Sequence, residues 1–265
     1  MKIGFVGAGN MGQAILKGLI NSGFSQNDLV AITKSLESSK KIASNFKVYS
    51  SNKIEDIKEC DVVFIGVKPQ NINEVLPEIK NNLKNESLLI SLAVGVKTEN
   101  LERFFENKVK VIRAMPNTPA LVGKGVTGLA KGKNATDEDL AIAQKLFLSV
   151  GKVVVVEENL IDVVAAASGS GPAYYFYVTE AITQAAIDLG LSKEVAEVLV
   201  NNTFIGSAEL FENSNENISE LRSKVTSPKG TTLAALENLD QNNFKEIWKQ
   251  ALQAAINRAN EISNS

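Results

Sequence analysis

The residues best suited to bind a charged ligand lie at the start of the chain. A glycine-rich stretch directly follows the first short apolar run and opens a helical pattern at 13–21. Glycines at this spacing permit a tight turn and let backbone N–H groups approach a pyrophosphate at a helix N-terminus. A glycine-rich turn without a ligand is the alternative. We predict a dinucleotide-binding turn made of Gly7, Ala8, Gly9, Asn10, Met11 and Gly12.

The end of the second predicted strand bears on which dinucleotide is bound. NAD enzymes usually place Asp or Glu there to bond the ribose hydroxyls, whereas this chain reads Thr33-Lys34-Ser35. A cation between two hydroxyls suits the 2′-phosphate of NADPH, and Asn52 could add a donor. The alternative is that Lys34 is a solvated loop residue. NADPH is therefore the predicted cofactor, with NADH as a second possibility.

Three later strand ends offer further contacts, because ligands of such sheets lie outside the carboxyl ends of the strands. One end carries a lysine and a proline, the next is built of small residues, and the third is a turn between prolines. Taken singly, each is explained as well by ordinary loop structure. The predicted cofactor contacts at these ends are Val67, Lys68, Pro69, Ala93, Val94 and Asn117.

A second stretch suited to bind an anion lies far along the chain, at residues 227–232. It reads Ser-Pro-Lys-Gly-Thr-Thr and precedes a helical run at 233–239. Free backbone N–H groups at the start of a helix can bind a carboxylate. Ser and Thr also favour an ordinary helix N-cap. The two interpretations are compatible, since a helix cap can also bind a ligand.

The composition excludes several kinds of chemistry. The 265 residues include one cysteine, Cys60, and no histidine, so an intrachain disulfide, a Cys/His metal site and a Ser-His-Asp triad are ruled out. A formal net charge of -2 provides no basic field for nucleic acid or anionic lipid. No apolar run approaches the length of a membrane span, and the start lacks a signal-peptide pattern. We expect a cytoplasmic protein without a metal.

The sequence predicts two architectures in succession. Up to residue 158, Val/Ile/Leu runs alternate with helical patterns, which is typical of parallel strands covered on both faces. From residue 160, Ala-rich helical patterns follow with no convincing strand. We predict a Rossmann-type doubly wound α/β domain over 1–158 and an all-α domain over 159–265. The predicted strands are 3–6, 29–33, 48–50, 61–67, 87–93, 109–114, 126–130 and 152–156.

Taken together, the motifs resemble those of the pyrroline-5-carboxylate reductase family along nearly the whole chain. Besides the glycine-rich turn, the resemblance rests on four segments: Val67–Pro69, Arg113–Pro119, Ser168–Tyr174 and Val225–Thr232. The last two are much more specific than the first turn. The resemblance implies reduction of 1-pyrroline-5-carboxylate to L-proline by NADPH or NADH. It also implies a homodimer formed through the helical domain, which in this family often assembles further into a decameric ring.

The resemblance also implies roles for single residues. Ser227 and the Gly230-Thr231-Thr232 backbone would hold the substrate carboxylate. The Thr232 hydroxyl would lie near the imine nitrogen as the catalytic candidate. Glu158 would fall near the substrate, unless it is a plain surface acid. Lys229 departs from the family pattern, in which a small residue is usual, and a positive φ there would cost Lys on the order of 1 kcal/mol. Either the loop avoids that conformation, or Lys229 compensates by adding a charge near the carboxylate.

Two other functions fit part of the pattern. A β-hydroxyacid dehydrogenase has the same two-part plan, but it carries a catalytic Lys on the first helix of the second domain, and residues 168–177 contain no Lys. A non-catalytic NADP-binding regulator would keep the glycine-rich turn, but would have no reason to keep residues 227–232.

Overall fold

The computed structural model describes residues 1–263, except for the side chains of Pro69, Ile262 and Ser263. Its centre is one eight-stranded sheet with the order β3-β2-β1-β4-β5-β6-β7-β8. Each predicted apolar run forms a strand. The strands are β1 Ile3–Val6, β2 Leu29–Ile32, β3 Tyr49–Ser51, β4 Val62–Ile65, β5 Leu88–Ser91, β6 Lys110–Met115, β7 Gly125–Lys131 and β8 Gly151–Val155.

Strands β1 to β6 are parallel, as predicted, but β7 pairs antiparallel with β6 and β8 runs parallel to β7. The expectation of parallel strands is therefore wrong for β7 and β8. The connection between β6 and β7 holds only residues 116–124, with a short 3₁₀ turn at Thr118–Val122. A parallel crossover needs about a dozen residues or more, usually with a helix, so this shorter connection turns the chain back.

Within residues 1–263 the chain also forms eleven α-helices. Of these, α1 covers the predicted helix at 13–21 and begins three residues earlier, at Asn10. A π-helical turn, Ala165–Gly169, separates α6 from α7. The helices are α1 Asn10–Asn21, α2 Leu36–Phe46, α3 Ile72–Asn82, α4 Thr98–Phe104, α5 Asp137–Phe147, α6 Ile161–Val164, α7 Gly171–Asp188, α8 Lys193–Glu212, α9 Ile218–Lys224, α10 Thr231–Gln241 and α11 Phe244–Ser263.

The central strands are buried on both faces, which explains their continuous apolar sequence. Alternate residues of a strand point to opposite faces. Ile3 and Phe5 belong to one apolar cluster, and Phe5 stacks on Phe64 at 4.7 Å between ring centroids. Val63 and Ile65 belong to a second cluster. Packing of these two clusters on opposite faces holds the strands rigidly, so their carboxyl ends keep a fixed arrangement.

The chain divides into two compact units, one of residues 1–170 with the chain end from 255, and one of residues 171–254. No strand lies between Leu160 and Ser263, as the sequence predicts for this described segment. The exact division at residue 158 stays a prediction.

The unit of residues 171–254 has almost no apolar core of its own. All of its residues are described, and among them Ala196 is the sole buried apolar residue. Helices that leave their apolar faces uncovered must bury them against another element. Large apolar side chains exposed on α7 and α8 include Tyr175, Phe176, Tyr177, Val198, Leu199, Ile205 and Leu210.

Candidate functional site

The turn Gly7–Gly12, here called the 7–12 turn, joins β1 to α1. Gly7 has φ 85°, and a Cβ there would lie 2.7 Å from the backbone nitrogen of Val67. Gly9 is the N-cap of α1 with ordinary φ -76° and no side-chain cap. A Cβ at Gly9 would meet no atom within 4 Å. The described fold thus requires glycine at residue 7 but not at residue 9, where the missing side chain leaves room for a ligand.

The start of α1 provides donors for an anion in that room. The first N–H groups of a helix have no intrahelical acceptor, and in α1 these belong to Asn10, Met11 and Gly12. The first backbone bond of the helix is made by the Gln13 N–H to the Gly9 carbonyl, at 2.8 Å. The helix dipole adds a partial positive charge at the same place. A pyrophosphate fits both the space and the charge.

A cleft of about 440 Å³ opens beside the 7–12 turn, at the carboxyl ends of β1, β2 and β4. β1 lies between β2 and β4, so the cleft is at the point where the strand order reverses and where such sheets bind ligands. Among its described lining residues there are three lysines and no acid. The predicted residues that line it are Gly7, Ala8, Gly9, Thr33, Lys34, Val67 and Lys68.

One face of α2 also lines the cleft, and the sequence reasoning missed it. Ser38, Lys41, Ile42 and Asn45 recur at helical spacing and point to one side. That spacing is the signal that could have found them. Lys41 Nζ lies 2.7 Å from Glu37 Oε1, and both side chains are largely exposed. The remaining lining residues that were not predicted are Gln13, Gly66 and Asn71.

Several predicted cofactor residues do not line this cleft. The Ser35 hydroxyl caps α2 by accepting from the Ser38 N–H at 3.2 Å. The Asn117 amide donates to the Ser168 carbonyl at 3.3 Å and accepts from the Val126 N–H at 2.9 Å, so its bonds stay within the fold. Cofactor contacts at Ser35, Asn117, Asn52, Ala93 and Val94 stay predictions. The side chain of Pro69 lies outside the described residues.

The stretch Ser227–Thr232, here called the 227–232 turn, leads into α10. The Gly230 N–H donates to the Ser227 carbonyl at 3.0 Å, which closes a turn with Pro228 and Lys229 at its centre. Lys229 has φ 59°, the conformation that favours glycine at this position of a type II turn. The loop therefore does not avoid the positive φ at Lys229, and a role of its charge near the carboxylate stays a prediction. A Cβ at Gly230 would press against the Ser227 hydroxyl and lie 3.0 Å from the Ser227 carbonyl oxygen.

Helix α10 begins without the ordinary cap that its hydroxyl residues suggested. Gly230 is the N-cap and makes no side-chain cap bond. The N–H groups of Thr231, Thr232 and Leu233 are the first of the helix and have no intrahelical acceptor. By contrast, α5 and α9 each begin with a complete capping box. The 227–232 turn therefore presents free donors that an added carboxylate would satisfy.

Glu158 is bonded within the fold. Its two carboxylate oxygens accept hydrogen bonds from the N–H and the hydroxyl of Thr98, at 2.6 and 2.5 Å. Arg113 Nη1 lies 3.8 Å from the same carboxylate, and Arg113 Nη2 donates to Asp162 Oδ1 at 2.6 Å. Sequence reasoning placed Glu158 near the substrate and missed Thr98 and Asp162.

The remaining candidate chemistry is limited. Burial raises the pKa of the Cys60 thiol to about 11, so Cys60 is a protonated core residue. Within the described part of the chain, no group of His, Cys, Asp and Glu side chains could hold a metal ion. Across the same residues, no helix has both the length and the apolar character that a membrane crossing requires.

A dinucleotide-sized cleft at the switch point of a doubly wound sheet, followed by a helical unit with little core of its own, defines a two-part nicotinamide-dependent oxidoreductase. Residues 2–95 match the family model described as NADP oxidoreductase coenzyme F420-dependent. Residues 158–262 match the model described as pyrroline-5-carboxylate reductase dimerisation.

Full-length relatives narrow the class. The chain is 36% identical to the pyrroline-5-carboxylate reductase of Arabidopsis thaliana, covering 100% of this chain and 96% of the relative. The Pseudomonas aeruginosa enzyme is 38% identical, covering 99% and 97%. The chain belongs to the pyrroline-5-carboxylate reductase family.

Solved structures agree in fold along the whole chain. A pyrroline-5-carboxylate reductase from Coxiella burnetii superposes with a TM-score of 0.93 at 38% identity, covering 100% and 99% of the two chains. The Plasmodium falciparum enzyme, solved with NADP bound, has a TM-score of 0.85 at 31% identity, covering 99% and 98%. A 3-hydroxyisobutyrate dehydrogenase from Mycobacterium tuberculosis shares the fold alone, at 16% identity and a TM-score of 0.54 over 72% and 66%.

Proposed function

We propose that this protein reduces 1-pyrroline-5-carboxylate to L-proline with hydride from NADPH or NADH. Family membership supports the reaction, and the two uncapped glycine N-caps support the sites. Gly9 and Gly230 are the N-caps of helices whose first N–H groups donate to no capping side chain. The observation that carries the site assignment is Gly9, because a Cβ there would meet only open space and the fold itself does not need glycine. A pyrophosphate bound in that space would explain why residue 9 is a glycine.

The substrate is a small cyclic imine with a carboxylate. The first N–H groups of α10 lie at the positive end of its dipole and suit that carboxylate. We assign the carboxylate to Ser227 and to the backbone N–H groups of Thr231 and Thr232, with Gly230 as the N-cap residue whose own N–H already bonds the Ser227 carbonyl. Holding it there would orient the ring and convert a bimolecular encounter into an aligned reaction. A direct contact between Glu158 and the substrate stays a prediction. In the structure both oxygens of Glu158 accept bonds from Thr98.

When bound, the reduced nicotinamide supplies the hydride, which adds to the imine carbon while the ring nitrogen ends with one more proton. The Thr232 hydroxyl is the candidate group at that nitrogen. An alcohol is a weak acid, so Thr232 would orient the nitrogen by a hydrogen bond or relay a proton from water. The described chain offers no histidine for this proton.

The cationic side of the cleft favours NADPH over NADH. Lys34 and Lys41 both line it, next to the hydroxyls of Thr33 and Ser38. Lys34 forms no ion pair with any described residue. The Lys41–Glu37 pair is an exposed pair of one helix, worth about 0.3–0.5 kcal/mol, and a 2′-phosphate could displace it. We therefore assign the 2′-phosphate to Thr33, Lys34 and Lys41.

The protein forms homo-oligomers through its helical half, in keeping with the dimerisation model matched by residues 158–262. The exposed apolar faces of α7 and α8 fit a second copy, because residues 171–254 bury almost nothing by themselves. We also propose that the dimers assemble into a decameric ring and that the protein is cytoplasmic. Light scattering on the purified protein separates a dimer from a decamer.

The experiment that tests the reaction is an assay of the purified protein with pyrroline-5-carboxylate and each cofactor. We expect oxidation of the cofactor with equimolar formation of proline, and a lower KM for NADPH than for NADH. A protein that binds NADPH but does not oxidise it with this imine would contradict the proposed substrate. It would favour the non-catalytic regulator instead.

A further inference from the structure

Among the described side chains, Arg113 is the largest that is fully buried; it lies in the middle of β6, with 1% of its side chain exposed. A buried guanidinium is costly unless charged and hydrogen-bonding partners surround it. Asp162 accepts from Nη2 at 2.6 Å, and Glu158 lies 3.8 Å from Nη1. Arg113 therefore anchors two carboxylates that come from the segment after β8.

The second of these carboxylates caps a distant helix. Thr98 is the first residue of α4, and the N-cap residue Lys97 makes no side-chain cap bond. Glu158, 60 residues away in sequence, accepts from the Thr98 N–H and hydroxyl instead. A carboxylate at a helix N-terminus is stabilised by the helix dipole as well as by these bonds. The Arg113–Glu158–Thr98 chain of contacts thus sets where α4 begins.

The loop between β5 and α4 is held at both ends. At its start, the buried Ser91 hydroxyl accepts from the Ala93 N–H at 3.3 Å. At its end, Thr98 is fixed by Glu158. Between them, Gly95 has φ 80° and Val94 packs against the small cluster that includes Met115 and Ile161. The Val96 N–H also donates to the Ala93 carbonyl at 3.4 Å, and through this turn we expect a shift of Thr98 to reach Ala93 and Val94.

We infer that Glu158 is a positioning residue, which acts through Thr98 to set the height of the Ala93–Val94 loop against the nicotinamide. The inference rests on the proposed function, in which Ala93 and Val94 contact that ring. This role replaces the direct substrate contact that the family resemblance implies for Glu158. Its carboxylate is constrained by Thr98 and Arg113, and side chains constrained in this way are the ones that hold a reacting group in place.

The test compares Thr98→Val, Thr98→Ser and Glu158→Gln, with Glu157→Gln as a matched control. Glu157 is the neighbouring acid and is exposed. Valine keeps the shape of threonine and removes the hydroxyl donor, whereas serine restores it. We expect Thr98→Val and Glu158→Gln to lower kcat about tenfold, with the KM for pyrroline-5-carboxylate within about twofold of wild type. Thr98→Ser should recover most of kcat.

Two further measurements separate positioning from mere stability. The double variant Thr98→Val/Glu158→Gln should be no slower than either single variant, because each substitution disrupts the same bond between the Thr98 hydroxyl and the Glu158 carboxylate. With cofactor deuterated at the transferred position, the isotope effect on kcat should rise, since hydride transfer becomes slower relative to product release. Thermal unfolding, followed in parallel, shows how much of each change is loss of fold.

Several results would overturn the inference. One is a tenfold rise in the KM for the imine in Glu158→Gln with Thr98→Val like wild type, which would make Glu158 a substrate ligand. Others are additive effects in the double variant, or a lower Tm with unchanged kcat. If the proposed substrate itself were wrong, the result would be distinguishable, because the wild-type protein would bind NADPH without oxidising it. The fluorescence of the bound nicotinamide would then test the inference, and an unchanged signal in Thr98→Val would refute it.

Discussion

The 7–12 turn and the 227–232 turn both expose free N–H groups at the start of a helix, but they use glycine differently. Each leads into a helix with a glycine N-cap and no side-chain cap, and each contains one residue at positive φ. In the first turn that residue is Gly7, which is also pressed against Val67. In the second it is Lys229, which is exposed, while the close packing falls on Gly230. Conformational freedom and steric room are therefore separate reasons for glycine.

Four other helices carry the side-chain cap that α1 and α10 lack, whereas α3, α4 and α6 also begin without one. Ser35, Thr136, Ser192 and Asn217 cap α2, α5, α8 and α9 with their side chains. Such caps are worth about 1 kcal/mol each. Glycine is only a few tenths of a kcal/mol poorer than these residues at an N-cap, and at Gly9 and Gly230 a bound anion would take the place of the missing side-chain acceptor.

The largest expected effect separates the two glycines of the first turn. Gly7→Ala should destabilise the protein by about 3 kcal/mol, since it combines an unfavourable φ with a clash against backbone. Gly9→Ala should destabilise the protein by less than about 1 kcal/mol, because alanine is a poorer N-cap residue than glycine, and weaken cofactor binding at least about tenfold, or 1.4 kcal/mol. Thermal unfolding and NADPH titration measure both quantities. A Gly9→Ala protein that binds NADPH normally would contradict the assignment of this turn.

The next effect tests the second turn. Thr232→Ala removes a hydroxyl expected to bond the imine nitrogen, and such bonds to a charged group are worth about 1.5–3 kcal/mol. We expect kcat/KM for the imine to fall by about 10- to 100-fold, with the KM for NADPH unchanged. Thr203→Ala is the control, because its hydroxyl bonds the Leu199 carbonyl within α8. Unchanged turnover and unchanged substrate KM in Thr232→Ala would rule out the proposed site.

A smaller effect tests the cations beside the first turn. Lys34→Gln and Lys41→Gln should each raise the KM for NADPH about tenfold, by loss of an ion pair with phosphate, and leave the KM for NADH nearly unchanged. High salt should shrink the difference, since exposed charges are screened. Lys40→Gln is the matched control, because Lys40 is on the same helix but does not line the cleft. Equal effects on NADPH and NADH would contradict a phosphate contact.

The smallest effect sharpens the contrast at residue 229. Lys229→Gly relieves the positive φ and should stabilise the protein by about 1 kcal/mol, which raises the Tm by about 2–4 °C. Lys229→Gln keeps the strain and removes the charge. A higher substrate KM in both variants would show that the ammonium assists the carboxylate. If Lys229→Gly gave no stabilisation, the turn would not hold the conformation described here.

The strands could be predicted well from the sequence because parallel strands that are buried on both faces have continuous apolar sequences, as in Val62–Ile65. It also located both turns, because glycine, proline and hydroxyl residues mark them. The reversed direction of β7 was missed, since it depends on the length of a connection rather than on the strand itself. The π-helical turn Ala165–Gly169 has no comparable local signal.

The site was predicted less completely than the fold. Contacts near the glycines followed from a local motif, whereas Lys41 and Asn45 required the helical face of α2 to be projected onto the cleft. The Glu158–Thr98 bond joins residues 60 positions apart. Contacts of that kind arise from the packing of the sheet, so no local pattern in a single sequence indicates them. Asn117 was recognised as polar and important, but its partners lie within the fold.

The central claim is that two uncapped helix starts bind the anionic groups of the two reactants. A crystal structure with NADP⁺ and proline bound tests it most directly. We expect the pyrophosphate within hydrogen-bond distance of the N–H groups of Asn10 to Gly12, and the proline carboxylate within hydrogen-bond distance of those of Thr231 and Thr232. A carboxylate bound elsewhere, with the start of α10 solvated, would contradict the account.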